Sequence, residues 1–62
     1  MKYRILVHTL DKFGKAKLLT FNKVESYTIE DGYLIFKDSH TNRIKRFAVA
    51  MTAIEEDQDA FN

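Results

Sequence analysis

The chain has 62 residues, of which 45% are hydrophobic and 31% charged, with no cysteine and no proline. A domain of about 60 residues buries only roughly 60% of its unfolded surface, so the chain has room for one domain with a thin core. The lack of cysteine excludes disulfides and thiolate metal sites, and two histidines are too few for a histidine-rich zinc site. We expect a single domain over residues 1–62 with no metal and no cofactor.

The charges are unevenly distributed along the chain. Residues 1–46 hold all ten lysines and arginines against five acidic residues, a net charge of +5, whereas residues 47–62 hold four acidic residues, a net charge of −4. We expect a basic body and an acidic C-terminal tail from about residue 55. The apolar run at residues 5–7 is too short for a signal peptide or a membrane span, which favours a cytoplasmic protein.

The first half of the chain predicts two strands joined by a turn. Residues 3–10 are rich in β-branched and aromatic types, and their apolar side chains fall on both faces. This pattern is typical of a strand that is central, curled or covered by another surface. Residues 11–15 contain Gly14 and read as a turn, and residues 16–21 as the returning strand. Asn22-Lys23 is a second predicted turn, leading into a strand at 24–30.

The dipeptide Asp31-Gly32, between two alternating runs, is the most specific signal in the sequence. A type I′ turn needs positive φ at both central residues, which these two types tolerate. With this loop, the numbers of cross-strand partners add up to 63, and a slip of one residue would turn the apolar partners away from each other. We expect the four apolar side chains that meet across this hairpin to lie in the core: Tyr27, Ile29, Leu34 and Phe36.

The strand predicted at residues 43–49, after the loop at 39–42, has an undecided orientation. Each of its faces combines an apolar residue with a cation: one has Ile44 and Arg46, and the other has Lys45 and Phe47. Spacing alone therefore does not tell which face is exposed.

The C-terminal segment has two interpretations. Thr52-x-x-Glu55 matches a capping box and favours a short helix, whose first turn suits acidic residues. The alternative is a last strand at 51–55 followed by the acidic tail. We favour the helix. The elements together predict an all-β fold, or β with one short C-terminal helix: a small antiparallel meander or partly open SH3-like barrel of about five strands.

Side chains that carry catalysis are sparse. Ser26 and Ser39 lie near no glycine-rich nucleophile motif, and two glycines cannot form a phosphate-binding loop. His8 is expected on a strand face and His40 in a turn, and the consecutive acids at 55–57 do not share one face. We therefore expect a binding protein and not an enzyme.

A basic, partly aromatic sheet face is the predicted binding site. Its cations are denser at residues 43–46 than solubility requires, and nucleic-acid binders combine such cations with aromatic or apolar contacts to bases. Another hypothesis is a small anionic ligand held by Arg43, Lys45 and Arg46 between protomers. The candidate binding residues are Tyr33, Ile35, Lys37, Arg43, Lys45 and Arg46.

The order of two short strands, a three-stranded meander and a C-terminal helix resembles the small archaeal chromatin proteins with an SH3-like barrel. In that family the three-stranded sheet lies across the DNA minor groove, and an apolar wedge kinks the duplex. The resemblance implies non-sequence-specific nucleic-acid binding through the face of Tyr33, Ile35, Arg43, Lys45 and Arg46.

Residues 25–56 also resemble small phage-encoded accessory proteins. The run ESYTIEDGYLIFKD, followed by RFAVAMTAIEE, is similar to their pattern of a hairpin, an F-x-D strand end, a further strand and I-E-E. Such proteins are often non-catalytic oligomers that bind and inhibit a host enzyme or defence component. The resemblance implies a host protein as partner, the host cytoplasm as location, and the strand at 3–10 as a partner or homodimer surface. We favour this function, with nucleic-acid binding as the alternative and no membrane partner.

Overall fold

The computed structural model describes residues 2–56, and β-strands account for most of this range. The strands form two three-stranded antiparallel sheets, in the orders β2-β1-β6 and β3-β4-β5, which do not close into a barrel. The predicted small all-β meander is therefore confirmed. The strands are β1 (Tyr3–Leu10), β2 (Ala16–Val24), β3 (Tyr27–Glu30), β4 (Tyr33–Lys37), β5 (Ile44–Ala48) and β6 (Thr52–Glu56).

Strand β1 has the predicted bounds and is the central strand of the first sheet. Its apolar residues divide between two environments, because successive side chains of a strand point to opposite faces. Ile5 and Val7 point inward and are fully buried, whereas Leu10, on the outer face, is 67% exposed. The apolar character of both faces thus reflects a central strand with one face in the core and one outside it.

Strand β2 continues past its predicted end, and the turn predicted at Asn22-Lys23 is wrong. The chain instead forms a bulge there: Ile5 pairs with Phe21, but Tyr3 pairs with Val24, so the register shifts between the two pairs. Lys23 takes a positive φ of 57° within this bulge. The strand continues because Val24 is buried to 1% exposure in the core, and the corner into β3 follows at residues 25–26.

The β3–β4 hairpin has the predicted register, with Tyr27 opposite Phe36 and Ile29 opposite Leu34. Both turn residues have positive φ, 51° at Asp31 and 79° at Gly32, as a type I′ turn requires. Leu34 and Phe36 are buried and Tyr27 is half-buried. The prediction of Ile29 as a core residue is wrong, because its side chain is 55% exposed.

The C-terminal helix predicted from Thr52 is wrong. One 3-10 turn at Val49–Met51 precedes β6, and the Thr52 hydroxyl donates to the carbonyl of Val49 (2.9 Å), closing this turn instead of opening a helix. Strand β6 pairs with the otherwise open side of β1 and places Ile54 opposite Ile5. The alternative of a last strand is correct, shifted by one residue. Glu55 and Glu56, expected in the acidic tail, belong to this strand, and the rest of that tail, residues 57–62, lies outside the described residues.

The core lies between the two sheets. Aromatic rings join them: Phe21 of the first sheet meets Phe36 of the second edge to face, with centroids 5.1 Å apart, and Tyr3 meets Tyr27 in the same way at 5.0 Å. The fully or nearly fully buried apolar residues are Ile5, Val7, Val24, Leu34 and Phe36. No helix within residues 2–56 has the length and apolar character needed to cross a membrane.

Candidate binding face

The second sheet turns one face to the core and the other to solvent. Along β4, Leu34 and Phe36 point inward, so Tyr33, Ile35 and Lys37 point outward. The adjacent outward positions of β5 are Ile44, opposite Lys37, and Arg46, opposite Ile35. We call this surface the β4–β5 face, defined by Tyr33, Ile35, Lys37, Ile44 and Arg46.

The pairing of β5 with β4 decides which side of β5 is exposed. Phe47 lies opposite Leu34 and Lys45 opposite Phe36, so both occupy the inward side and are half-buried. Four of the six predicted binding residues therefore share the β4–β5 face: Tyr33, Ile35, Lys37 and Arg46. Lys45 lies on the other side of the sheet.

Arg43 was predicted in the site but lies outside the β4–β5 face, whereas Ile44 was not predicted and belongs to it. Arg43 precedes β5 in the loop, where its carbonyl accepts the backbone N–H of Asp38 (2.8 Å). Ile44 belongs to the β4–β5 face and is 67% exposed, although the sequence did not single it out. Its alternation with Arg46 was visible in the sequence, but the register that turns both outward depends on the loop between the strands.

Arg46 and Tyr33 contact each other on the β4–β5 face. The guanidinium carbon of Arg46 lies 4.2 Å from the centroid of the Tyr33 ring. Such cation–π contacts are worth about 0.5–1 kcal/mol at exposed sites. The contact therefore favours one arrangement of the two side chains in the absence of a ligand.

The charge of this side of the second sheet is low. Lys37 and Arg46 are opposed by Glu30 of β3, which lies opposite Tyr33, so the net charge is +1. Tyr33 is 40% exposed. The surface combines aromatic, apolar and charged side chains, and its net charge is low for the basic, partly aromatic face expected from the sequence.

The first sheet also presents an apolar outer face, centred on the residues of β1 that alternate with the buried ones. Leu10 is 67% exposed and Leu18, opposite His8, is 53% exposed. His8 is an exposed strand-face residue, as predicted. The use of this surface by a partner or a second copy remains a prediction.

The loop after β4 is held together by Asp38, which is only 6% exposed. Its carboxylate accepts the backbone N–H of His40 and the hydroxyl of Thr41, both at 3.0 Å. The hydrogen bond from His40 lowers the pKa of Asp38, against the opposing effect of burial, and the Thr41 hydroxyl and the charges of His40 and Lys45 lower it further. This loop sets where β5 starts and so fixes Ile44 beside Lys37.

We expect Asp38→Asn to lower the urea midpoint at pH 7 and to lose this effect in acid. Because the folded pKa lies below the ordinary value of 3.8, the carboxylate stabilises the fold above that pH, and this contribution disappears as pH falls through the folded pKa. The difference in urea midpoint between the parent and the variant should therefore be constant from pH 7 to roughly pH 5 and shrink below about pH 4. Asp31→Asn, the same change at an exposed turn, is the control and should leave the midpoint unchanged. A difference that grows in acid would contradict the assignment.

Residues 2–56 contain no group of three or more histidine, cysteine, aspartate or glutamate side chains placed to hold a metal ion. No protein-family model matches this chain, and no curated protein or solved structure shows significant similarity to it.

Proposed function

We propose that this chain is a non-enzymatic binding module that recognises another protein through the β4–β5 face. The observation that supports this is the cluster of Tyr33, Ile35, Ile44 and Arg46 on an exposed sheet surface. The centres of protein interfaces are enriched in aromatic residues and arginine and poor in lysine and glutamate. In keeping with this, Lys37 stands at the end of β4.

The arrangement of Arg46 over Tyr33 adds to this proposal. Immobilising a long side chain on binding costs about 0.5–1.5 kcal/mol, and a contact that already favours the bound arrangement avoids part of that cost. The guanidinium, stacked 4.2 Å from the ring centroid, still has its N–H groups at the surface to donate to a partner. Tyr33 and Arg46 are therefore the residues whose loss should weaken binding most.

The resemblance to phage-encoded accessory proteins supplies the class of partner for this proposal. The partner is a protein of the host cell, in the host cytoplasm, and the chain modulates or inhibits it by occupying its surface. The exposed Leu10 and Leu18 of the first sheet provide a separate surface on which a second copy of the chain can associate. Binding to a partner and self-association thus use opposite sides of the molecule in this proposal.

Non-sequence-specific nucleic-acid binding is the alternative function, favoured by the stacked Arg46 and Tyr33. The low charge of the face is against it, because phosphate contacts dominate the affinity of such proteins. Lys45 lies on the inward side of β5 and adds no charge to the face. We expect little retardation of duplex or single-stranded DNA in a mobility-shift assay at low salt. Tight binding with a steep salt dependence would support the alternative and contradict the proposal.

The proposal is tested by capture of a partner from a nuclease-treated bacterial lysate, with mass spectrometry of the retained protein. We expect Tyr33→Ala and Arg46→Ala each to weaken binding of that protein more than tenfold, since hot-spot truncations cost about 2 kcal/mol or more. Phe13→Ala is the matched control, because Phe13 is an aromatic residue that is 77% exposed in the first turn, away from the face. Capture that all three variants retain equally would contradict the proposal.

A further inference from the structure

A polar groove of about 370 Å³ lies at the corner where β2 leads into β3. Its walls come from the N-terminal segment, the corner itself, the end of β4 and the loop that follows. No apolar residue contributes to its lining, which distinguishes it from the β4–β5 face. The lining residues are Lys2, Lys23, Glu25, Ser26, Lys37, Ser39 and Asn42.

The groove is positively charged, with three lysines against one glutamate. Glu25 pairs with Lys2 across 3.4 Å, and the ammonium groups of Lys23 and Lys37 make no ion pair or hydrogen bond with any other residue in the range 2–56. The hydroxyl of Ser26 and the side-chain amide of Asn42 are also unpaired donors within that range. The groove therefore presents two ammonium groups and two neutral donors that an anion can use.

Two residues that line the groove have left-handed backbone. Among residues 2–56, three residues other than glycine have positive φ; one is Asp31 in the hairpin turn, and the other two are Lys23 (57°) and Asn42 (63°). Left-handed backbone is unfavourable for lysine, whereas asparagine adopts it routinely in turns, so only Lys23 is strained; strained conformations concentrate at functional sites. The bulge of β2 places Lys23 in this conformation, and bulges commonly redirect a side chain toward a site. The strained backbone at Lys23 therefore lies in the wall of the groove.

We propose that this corner groove binds a small phosphate-bearing molecule. Lys23 and Lys37 neutralise the two negative charges of a phosphate group, and Ser26 and Asn42 donate to its remaining oxygens. A phosphate fits this set better than a carboxylate does, since its oxygens accept hydrogen bonds from several directions and it carries more charge. The site differs from the anion site expected at residues 43–46, where Lys45 and Arg46 point to opposite sides of the sheet. The groove adjoins the β4–β5 face at Lys37, which belongs to both, so variants of Lys23 and Arg46 are used to test the two sites separately.

The test is a titration of the isotope-labelled chain with pyrophosphate, followed by amide chemical shifts in a buffer of constant ionic strength. We expect saturable shifts centred on residues 23, 26, 37 and 42. Lys23→Gly should weaken the affinity at least fivefold while keeping the fold, because glycine accepts the positive φ at this position. Glu25→Gln should strengthen the affinity about twofold to fivefold, since it removes the opposing charge and releases Lys2.

Lys15→Gln removes the same charge in the turn between β1 and β2 and is the control, with an expected change below twofold. Shifts that do not saturate, or an equal loss of affinity in Lys15→Gln and Lys23→Gly, would show general attraction to a basic body and overturn the proposal. Arg46→Ala should leave pyrophosphate binding unchanged, and Lys23→Gly should leave capture of a protein partner unchanged. Failure of the phosphate proposal and failure of the proposed function can therefore be distinguished by these two variants.

Discussion

Phe36→Ala is expected to unfold a large part of the population at 25 °C. The Phe36 side chain is 3% exposed, and its ring contacts Phe21 at 5.1 Å and Phe47 at 6.1 Å between centroids. Truncation of a buried phenylalanine to alanine costs about 3–5 kcal/mol, whereas domains are stable by only about 0.05–0.15 kcal/mol per residue. For a chain of 62 residues, the loss is therefore comparable with the whole stability.

The position of Phe36 increases this effect. Its ring meets that of Phe21 edge to face, and the two residues belong to different sheets. Because the sheets do not close into a barrel, contacts of this kind hold one sheet on the other. Loss of the ring should thus reduce the cooperativity of unfolding as well as the midpoint.

Urea denaturation followed by circular dichroism measures both quantities for Phe36→Ala and for a control, Phe13→Ala. Phe13 is 77% exposed, so its truncation should change the free energy of unfolding by less than about 0.5 kcal/mol. A Phe36→Ala variant with the midpoint of the parent protein would contradict the packing of Phe36 between the two sheets.

The elements that could be predicted from the sequence are those specified by neighbouring residues. The β3–β4 hairpin has the expected register because Asp31-Gly32 favours a single turn type and the flanking runs alternate. The strand at 3–10 was recognisable for the same reason, since its composition and alternation are local properties. Such signals do not depend on the rest of the fold.

The errors lie where distant parts of the chain decide the outcome. Thr52-x-x-Glu55 has the local pattern of a helix start, but the open side of β1 offers a ladder in which Ile54 covers Ile5. Pairing with a strand almost fifty residues away overrides the local preference. In the same way, burial of Val24 in the core extends β2 through a bulge. The spacing of residues in the sequence did not indicate this bulge.

The same distinction between local and distant determinants applies to the candidate site. The alternation in β4 was enough to place Tyr33, Ile35 and Lys37 on one face, but the side of β5 that joins them depends on the loop held by Asp38. The corner groove could not be predicted, because its lining comes from four segments brought together by the bulge and the corner. The side chains that share one face of a strand can therefore be predicted from sequence, whereas a groove formed by several segments cannot.

A second large effect is expected for Leu34→Ala, and its cross-strand neighbour provides an internal control. Leu34 and Ile29 lie directly opposite each other, yet Leu34 is fully buried and Ile29 is 55% exposed. The two side chains are isomers, so truncation of either to alanine removes the same number of carbon atoms. The difference between the two variants should therefore depend on burial and packing and not on composition.

We expect Leu34→Ala to cost about 2–5 kcal/mol, from lost transfer free energy and the cavity that remains. Ile29→Ala should lower the free energy of unfolding by about 1 kcal/mol or less, because Ile29 is only partly buried and alanine has a lower strand preference. Urea midpoints measured at several protein concentrations give both values. Equal costs at high concentration and unequal costs at low concentration would mean that a second copy covers Ile29, whereas equal costs at every concentration would contradict the placement of Ile29 outside the core. The comparison of Leu34→Ala with Ile29→Ala therefore tests whether the core ends between these two residues of the β3–β4 hairpin.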